Sequence, residues 1–295
     1  MVSVRAETTA KMPTIRRAQP ADAEVSGRIC YDAFTTLNNK FNFPPDFPSP
    51  EVAQGVLSSM FGNPGFFCVV AEEDGRILGS NCMDERCAIA GIGPITVDPA
   101  VQNKTVGRQL MMVVMDRAAE RKFAGVRLVQ AAFHSRSMAL YAKLGFDIRE
   151  PLVVMQGPAI GEVTRGDAVR PAVAGDLAAC DALCLRVHGH DRSRELADNI
   201  GDGTARVVER DGRIVAYASH VGFFGHAVAE NNFDLQALLG GVEAFAGPGI
   251  LVPTRNTELF RWCLNKGLRV VEPMTLMTVG LYNEPAGAYL PSILY

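Results

Sequence analysis

The chain has 295 residues and a formal net charge of −3, with 48% of its residues hydrophobic and 21% charged. These values are typical of a globular protein with one large or two ordinary domains, and they leave enough apolar residues for a full core. The sequence has no basic block and no apolar run near the ~20 residues that span a bilayer, so a nucleic-acid binder and a membrane-spanning protein are both disfavoured.

The first half of the chain alternates short apolar runs with amphipathic stretches. Apolar residues recur at a spacing near four from Val25 to Leu37, which predicts a helix. In chain order, strands are expected over residues 14–17, 66–71, 77–82, 90–97, 126–131 and 147–155, and helices over residues 21–37, 106–121 and 135–144. This order predicts an α/β (α+β) fold with a mixed central sheet.

Residues 38–50 carry three phenylalanines that alternate with asparagine and proline. Two interpretations are open at this stage. The segment forms an apolar wall of an acceptor site, or it is a loop that is only anchored on the core.

The most informative stretch runs from Val97 to Met111, where an apolar strand ends, a short polar turn follows, and a helix begins. The first turn of a helix has free backbone N–H groups and the positive end of the helix dipole. Lys104 and Arg108 add positive charge, and Gly107 lets a ligand approach the backbone closely. The pattern therefore predicts a site for a phosphate or pyrophosphate.

The turn resembles the acyl-CoA pyrophosphate loop of the GNAT acetyltransferase superfamily, Gln/Arg-x-x-Gly-x-Gly/Ala after a strand that ends in Val-x-Pro. Gln102, Gly107 and Arg108 match that loop, and Val97 and Pro99 stand at the end of the preceding strand. Thr105 replaces the first glycine of the loop. Its Cβ weakens phosphate binding, or its hydroxyl donates to a phosphate oxygen.

A second motif of the superfamily, Asn-x-x-Ala-x-x-Leu-Tyr-x-x-x-Gly-Phe, is similar to residues 134–146. Tyr141 and Gly145 match, whereas His134 replaces the asparagine and Ser137 replaces the alanine. The resemblance covers residues 14–156. It implies a central sheet that opens where the fourth and fifth strands separate, with the pantetheine arm of acetyl-CoA in the opening.

The resemblance also implies the residues of the site. Tyr141 is expected to protonate the thiolate leaving group, although it could instead only pack on the pantetheine arm, and a backbone N–H near Val97 is expected to stabilise the oxyanion. Acetyl-CoA, the cosubstrate, is expected to bind along Ile95, Thr96, Val97, Gln102, Asn103, Lys104, Thr105, Val106, Gly107, Arg108, His134, Ser137 and Tyr141.

Three sequence patterns of the first half recur in the same order in the second. The pairs are residues 15–22 with 169–176, residues 73–78 with 210–215, and residues 134–145 with 256–267. Such long periods indicate a domain duplication rather than a solenoid repeat. We predict an acetyl-CoA-binding domain over residues 13–156, a linker over 157–168 and a degenerate GNAT-like domain over 169–295.

The second half lacks the loop and the tyrosine. The segment Asn232-Phe-Asp234 is typical of a plain helix N-cap, and Cys263 stands where the first half has Tyr141, most simply as a buried helix cysteine. The apolar segment 282–295 is expected to dock as a strand or cover a sheet edge, with a homodimer contact as the rival interpretation.

The sequence does not reveal a general base, because residues 88–97 contain no acid. Asp84 and Glu85 either attract a cationic amine or are solvated hairpin charges, with the second interpretation favoured. His134 could titrate near neutral pH, but its motif position favours a hydrogen bond to the cofactor.

The remaining signals concern cofactors and compartment. The seven cysteines are odd in number and form no C-x-x-C motif, and His188 and His190 have no supporting cluster, so neither disulfides nor a metal are expected. We expect a cytoplasmic N-acetyltransferase that acts by direct attack of a small-molecule or peptide amine on acetyl-CoA. A non-catalytic acyl-CoA sensor or scaffold, and a different acyl donor, are the alternatives.

Overall fold

The computed structural model describes residues 12–101, 105–162 and 168–294. Its helices are α1 (Ala23–Phe41), α2 (Pro50–Gly62), α3 (Val106–Glu120), α4 (Ser135–Lys143), α5 (Leu177–His188), α6 (Ser193–Gly201), α7 (Asn232–Gly240) and α8 (Thr257–Asn265). Its strands are β1 (Thr14–Arg17), β2 (Phe66–Glu73), β3 (Arg76–Asp84), β4 (Ile89–Val97), β5 (Gly125–Ala131), β6 (Asp147–Gln156), β7 (Ala168–Pro171), β8 (Arg206–Arg210), β9 (Arg213–Ala218), β10 (Ala227–Ala229), β11 (Ile250–Pro253), β12 (Arg269–Gly280) and β13 (Ala288–Leu290).

The predicted elements of the first half are confirmed in type and order. The main difference is helix α2 (Pro50–Gly62), which is absent from the expected elements. In addition, the first helix begins at Ala23 and continues to Phe41 rather than covering residues 21–37. A short 3-10 turn at Pro20–Asp22 precedes this first helix, because the proline favours the start of a helical turn. Among the helices that the structure describes, none combines the length and hydrophobicity needed to cross a bilayer.

The strands form two sheets. One has the order β1-β2-β3-β4-β5-β12-β6-β11, and the other has the order β13-β10-β9-β8-β7. Neighbouring strands are antiparallel except for β4 and β5, which run parallel. The predicted mixed, mostly antiparallel architecture is therefore confirmed.

The pairing of β4 with β5 is short. It begins at Ile89 with Gly125 and stops at Gly91 with Arg127, although both strands continue beyond that point. The later parts of the two strands, residues 92–97 and 128–131, consequently flank an opening in the sheet. The opening expected from the family resemblance is present.

The two halves share the larger sheet. Strand β12, from the second half, lies between β5 and β6 of the first half, and β6 in turn lies between β12 and β11. The sheet therefore does not divide at the predicted linker, residues 157–168, and the strand β7 already begins at Ala168. As a consequence, residues near the C-terminus border the opening between β4 and β5.

The duplication predicted from the sequence is visible in side-chain geometry. The Arg16 guanidinium donates to both carboxylate oxygens of Asp22 at 2.7 and 2.9 Å, and Arg170 donates to Asp176 at the same two distances. The two Asp-Gly hairpins also correspond, because Asp74 and Asp211 have φ values of 51° and 52°.

The second half replaces the polar turn by a direct connection. Only residues 230–231 separate β10 from α7, and the N-cap is Asn231, whose side chain accepts from the Asp234 N–H, rather than the predicted Asn232. Residues 98–105 separate the corresponding elements of the first half. The second half therefore has no room for a phosphate loop at this position.

The C-terminal segment docks as the sequence predicted. Strand β13 pairs with β10 at the edge of the smaller sheet. The Ile293 N–H donates to the Phe223 carbonyl at 2.8 Å, and Leu294 is buried among residues of α1, α2 and the adjoining strands.

Candidate active site

A cavity of about 500 Å³ lies at the opening between β4 and β5. It is lined by residues of α1, the segment after α1, β4, the start of α3, β5, α4, β12 and the C-terminal segment. The predicted site residues that line it are Ile95, Thr96, Val97, Thr105, Val106, Gly107, Arg108, His134, Ser137 and Tyr141. The remaining three predicted residues, Gln102, Asn103 and Lys104, lie outside the described residues.

The N-terminus of α3 forms one wall of the cavity. Thr105 precedes the helix with φ of 65°, a left-handed conformation that is unusual for a β-branched residue and explains why glycine is favoured there. Arg108 lies in the first turn, which contains no acid. Among the residues that the structure describes, a Cβ on Gly107 would meet only Val97 Cγ2, at 3.6 Å, so the glycine leaves the backbone open toward the cavity rather than relieving a clash.

Strand β4 presents backbone groups to the opening. The Asp98 N–H donates to the Leu78 carbonyl on β3 at 2.8 Å. Because successive N–H groups of a strand point to opposite sides, the Val97 N–H points away from β3 and toward the opening. This orientation suits a donor to a carbonyl oxygen bound between β4 and β5.

Tyr141 is buried on the second turn of α4, with two polar side chains nearby. Ser137 hydrogen-bonds the tyrosine, and Ser137 Oγ also lies 2.7 Å from His134 Nδ1. Burial raises the pKa of Tyr141 to about 12, so the phenol is protonated at neutral pH. Burial also lowers the pKa of His134, with Arg136 and Lys40 acting in the same direction, so this imidazole is neutral.

The phenylalanine-rich segment 38–50 is anchored on the core and also lines the cavity. It is anchored, because Asn38 Nδ2 donates to the Pro44 carbonyl at 2.8 Å and Phe47 is buried. It also contributes Asp46 and Phe47 to the cavity lining. Phe43 lies outside that lining and stacks on Phe133 at a centroid distance of 4.3 Å.

Asp84 and Glu85 are not the solvated charges favoured by the sequence analysis, and they do not line the cavity. Asp84 is buried against Arg86, with a contact of 2.6 Å. Glu85 accepts from Arg117 Nε at 2.8 Å. Both carboxylates are engaged in structural ion pairs and are poor candidates for an acceptor site.

The structure adds two acids that the sequence analysis missed. Glu272 on β12 and Asp46 both line the cavity and hydrogen-bond each other, and Asn38 hydrogen-bonds Asp46. Glu272 is only 3% exposed, and burial followed by the charge of Asp46 raises its pKa to about 8. The only sequence signal was a lone acid in a mainly apolar strand, since the two acids are far apart in the chain.

Gln130 on β5 was missed as well. It lines the cavity and is 6% exposed, yet neither side-chain polar atom has a hydrogen-bond partner among the residues that the structure describes. Thr96 Oγ1, on the opposite side of the opening, is likewise buried and without a partner in the described part of the chain. Buried polar atoms are rarely left unpaired, so both point to a bound ligand.

Cys263, the counterpart of Tyr141 in the second half, is fully buried, and burial raises the pKa of its thiol to about 12. A protonated thiol is a poor nucleophile. Within the described ranges, no group of three or more His, Cys, Asp and Glu residues is arranged to hold a metal ion.

Comparison with known proteins identifies the first half. Residues 32–146 match the acetyltransferase (GNAT) family. No curated protein matches the chain significantly. Among solved structures, a candidate acetyltransferase of Pyrococcus horikoshii has a TM-score of 0.74 and 19% identity, covering 96% of this chain and 94% of that one.

Two further structures extend over nearly the whole chain. A GCN5-related N-acetyltransferase from Sphaerobacter thermophilus has a TM-score of 0.59 at 18% identity, covering 92% of this chain and 96% of its own. A tandem GNAT protein from the clavulanic acid biosynthesis pathway has a TM-score of 0.54 at 14% identity, covering 94% and 99%. At these identities the matches establish the tandem fold.

Proposed function

We propose that this protein, an acyltransferase whose residues 32–146 form a domain of the GNAT family, transfers an acetyl group from acetyl-CoA to a primary amine in a ternary complex. The observation that carries the proposal is the shared cavity, which brings the helix start at Gly107 and the buried Tyr141 to one opening in the sheet. The acceptor is a small molecule or a peptide amine.

The cofactor would bind with its pyrophosphate on the free N–H groups at the start of α3, close to Arg108. Helix N-termini bind phosphate because their N–H groups and dipole both favour negative charge. The pantetheine arm would enter between β4 and β5, where its amide groups would hydrogen-bond Thr96 Oγ1, which has no partner among the described residues.

The chemistry is direct aminolysis of the thioester. The neutral amine nitrogen attacks the carbonyl carbon, and the oxyanion is stabilised by the Val97 N–H. The C–S bond then breaks, Tyr141 protonates the thiolate, and the proton lost by the nitrogen replaces the one that Tyr141 gave. The phenolate regains its proton along the hydrogen bonds to Ser137 and His134, which is 2.7 Å from Ser137.

The first test is a thermal melt of the protein with acetyl-CoA, with free CoA and without ligand. At about 100 times Kd a ligand adds about 2.7 kcal/mol, which corresponds to a shift of roughly 5 °C for a chain of this size. If acetyl-CoA raises the Tm, we also expect the protein to release CoA thiol from acetyl-CoA when a suitable primary amine from a panel is added. No shift at millimolar acetyl-CoA would contradict the cofactor site.

One observation favours a second candidate function. Thr105 holds the left-handed conformation at the position where the family has glycine, and such a departure from the family's loop is expected of a protein that binds acyl-CoA without turnover. A clear melting shift combined with no CoA release across the amine panel would support that sensor or scaffold role.

A further inference from the structure

We propose that Glu272, together with Asp46, binds the acceptor as an ammonium ion on an apolar body and that Glu272 removes its proton. This inference rests on the proposed acetyl transfer and names the acceptor class and the missing base. Glu272 belongs to β12, so the second half of the chain would complete the active site of the first.

The acid pair lies on the side of the sheet suited to the acceptor. Paired residues of antiparallel strands share a face, so Gln130 and its partner Thr275 lie on one face and Met274 lies on the other. Glu272 lies two residues before Met274 on β12, so both side chains are on the same face, and Met274 packs with Phe223. Tyr141 packs with Leu128, which lies two residues before Gln130 on β5 and therefore on the same face as Gln130. Acid pair and phenol therefore border the cavity from opposite faces of the sheet.

The opening between these faces carries unpaired polar atoms that a ligand passing through it would satisfy. Thr96 on β4 and Gln130 on β5 flank the opening, are 4% and 6% exposed, and have unpaired polar atoms within the described part of the chain. A thioester and its neighbouring amide groups would pair these atoms. The acyl carbon would then be delivered toward the face that carries Glu272.

The residues around the acid pair favour an acceptor amine with an apolar body. Phe34, Phe47, Phe223 and Met274 line the cavity with the two acids. Aromatic faces also attract cations. A free carboxylate on the acceptor would be repelled by the pair, so the preferred acceptor is a monoamine with an apolar or aromatic body rather than an amino acid.

The positive and negative side chains that line the cavity are also separated, with the cations toward His134 and Tyr141 and the acids on the acceptor side. The cations that line the cavity come from the end of α1 (Lys40) and the first turns of α3 and α4 (Arg108 and Arg136). Lys40 and Arg136 both act on His134, which is hydrogen-bonded to the Tyr141 side of the cavity through Ser137. These cations suit the phosphates of the cofactor and leave the acids for the ammonium group.

The proton balance closes with these groups. The positive charge of the bound ammonium ion favours the ionised form of Glu272. This carboxylate accepts one proton from the ammonium ion, and the neutral nitrogen attacks the thioester carbon. After the C–S bond breaks, the second proton lost by the nitrogen is matched by the proton that Tyr141 gives to the thiolate. Glu272 returns its proton to solvent, so an ammonium ion and acetyl-CoA yield an amide, CoA and one proton.

The decisive experiment measures binding of 2-phenylethylamine by calorimetry to the full-length protein with CoA present. The comparison includes Glu272→Gln and the exposed control Glu243→Gln. Because a charge-assisted hydrogen bond contributes about 1.5–3 kcal/mol, Glu272→Gln is expected to weaken binding about 10- to 100-fold, and the control is expected to bind as the wild type does. The anionic analogue 3-phenylpropionate should not bind.

Equal amine affinity in Glu272→Gln, or equal affinity of the wild type for the anionic analogue, would overturn the proposal. Acetyl transfer is measured separately by CoA release. Transfer that persists unchanged in Glu272→Gln would refute the base role while leaving the proposed function intact. Absence of both acetyl-CoA binding and transfer in the wild type would refute the proposed function, while the calorimetry would still decide the amine site.

Discussion

Replacing Glu272 by glutamine should make the protein more stable, and the gain should grow with pH. The side chain is 3% exposed, and burial with the charge of Asp46 raises its pKa from 4.5 to about 8. Between those pH values the unfolded chain loses the proton while the folded chain keeps it. The folded state then binds more protons, so wild-type stability falls as pH rises and levels off above pH 8.

The size of this effect follows from the pKa difference. Since one pKa unit corresponds to about 1.4 kcal/mol, the loss between pH 4.5 and pH 8 is up to about 5 kcal/mol. Glutamine cannot ionise and can still donate to Asp46, so Glu272→Gln avoids the loss. At about 2 °C per kcal/mol, its Tm advantage over the wild type should be about 10 °C larger at pH 9 than at pH 4.5.

The assay is a set of thermal melts from pH 4.5 to pH 9 on the wild type, on Glu272→Gln and on the exposed control Glu243→Gln. Comparing variants at each pH removes the contribution of the titrating groups that do not contact Glu272. A Tm difference that stays constant with pH, or one that the control reproduces, would refute the buried acid pair. A confirmed gain would also show that the wild type retains a destabilising acid, as expected of a functional residue.

Three further predictions concern the cofactor side of the cavity. Gly107→Glu should abolish acetyl-CoA binding in calorimetry. Gly107→Ala, whose Cβ lies 3.6 Å from Val97 Cγ2, should leave the Tm within about 1 °C; equal cofactor binding in both variants would exclude this site. Tyr141→Phe should lower kcat about 10²–10⁴-fold with little change in acetyl-CoA affinity, and an unchanged kcat would remove its acid role. Thr105→Gly should relieve a left-handed φ of 65° and tighten acetyl-CoA binding several-fold, and weaker binding would instead assign a direct phosphate contact to the threonine hydroxyl.

The exchange of strands explains why the second half is retained although it lacks the phosphate turn. Its strand β12 lies against β5 and β6, and it contributes Glu272 and Met274 to the cavity. The residues after β13 add Ile293 and Leu294 to the same lining. Separating the halves would therefore remove part of the first half's sheet as well as part of its cavity wall.

The sequence by itself determined the local elements and the duplication. Turn and helix-start signals depend on neighbouring residues, so the Asp-Gly hairpins, the helix that begins at Val106 and the recurrence of residues 15–22 in 169–176 were predictable. The motif residues from Ile95 to Tyr141 were expected from the family resemblance, and the described ones line one cavity. The sequence misjudged Asp84 and Glu85, because their partners Arg86 and Arg117 become visible only in the fold.

Only the tertiary structure decided which residues line the cavity opposite the motif residues. Which strand lies beside β5 depends on packing and hydrogen bonding between distant segments, and no local pattern specifies that β12 inserts there. That insertion brings Glu272 to Asp46, and it leaves Gln130 beside the opening with its polar atoms unpaired among the described residues. Long-range strand pairing therefore supplied the candidate base that the sequence did not reveal.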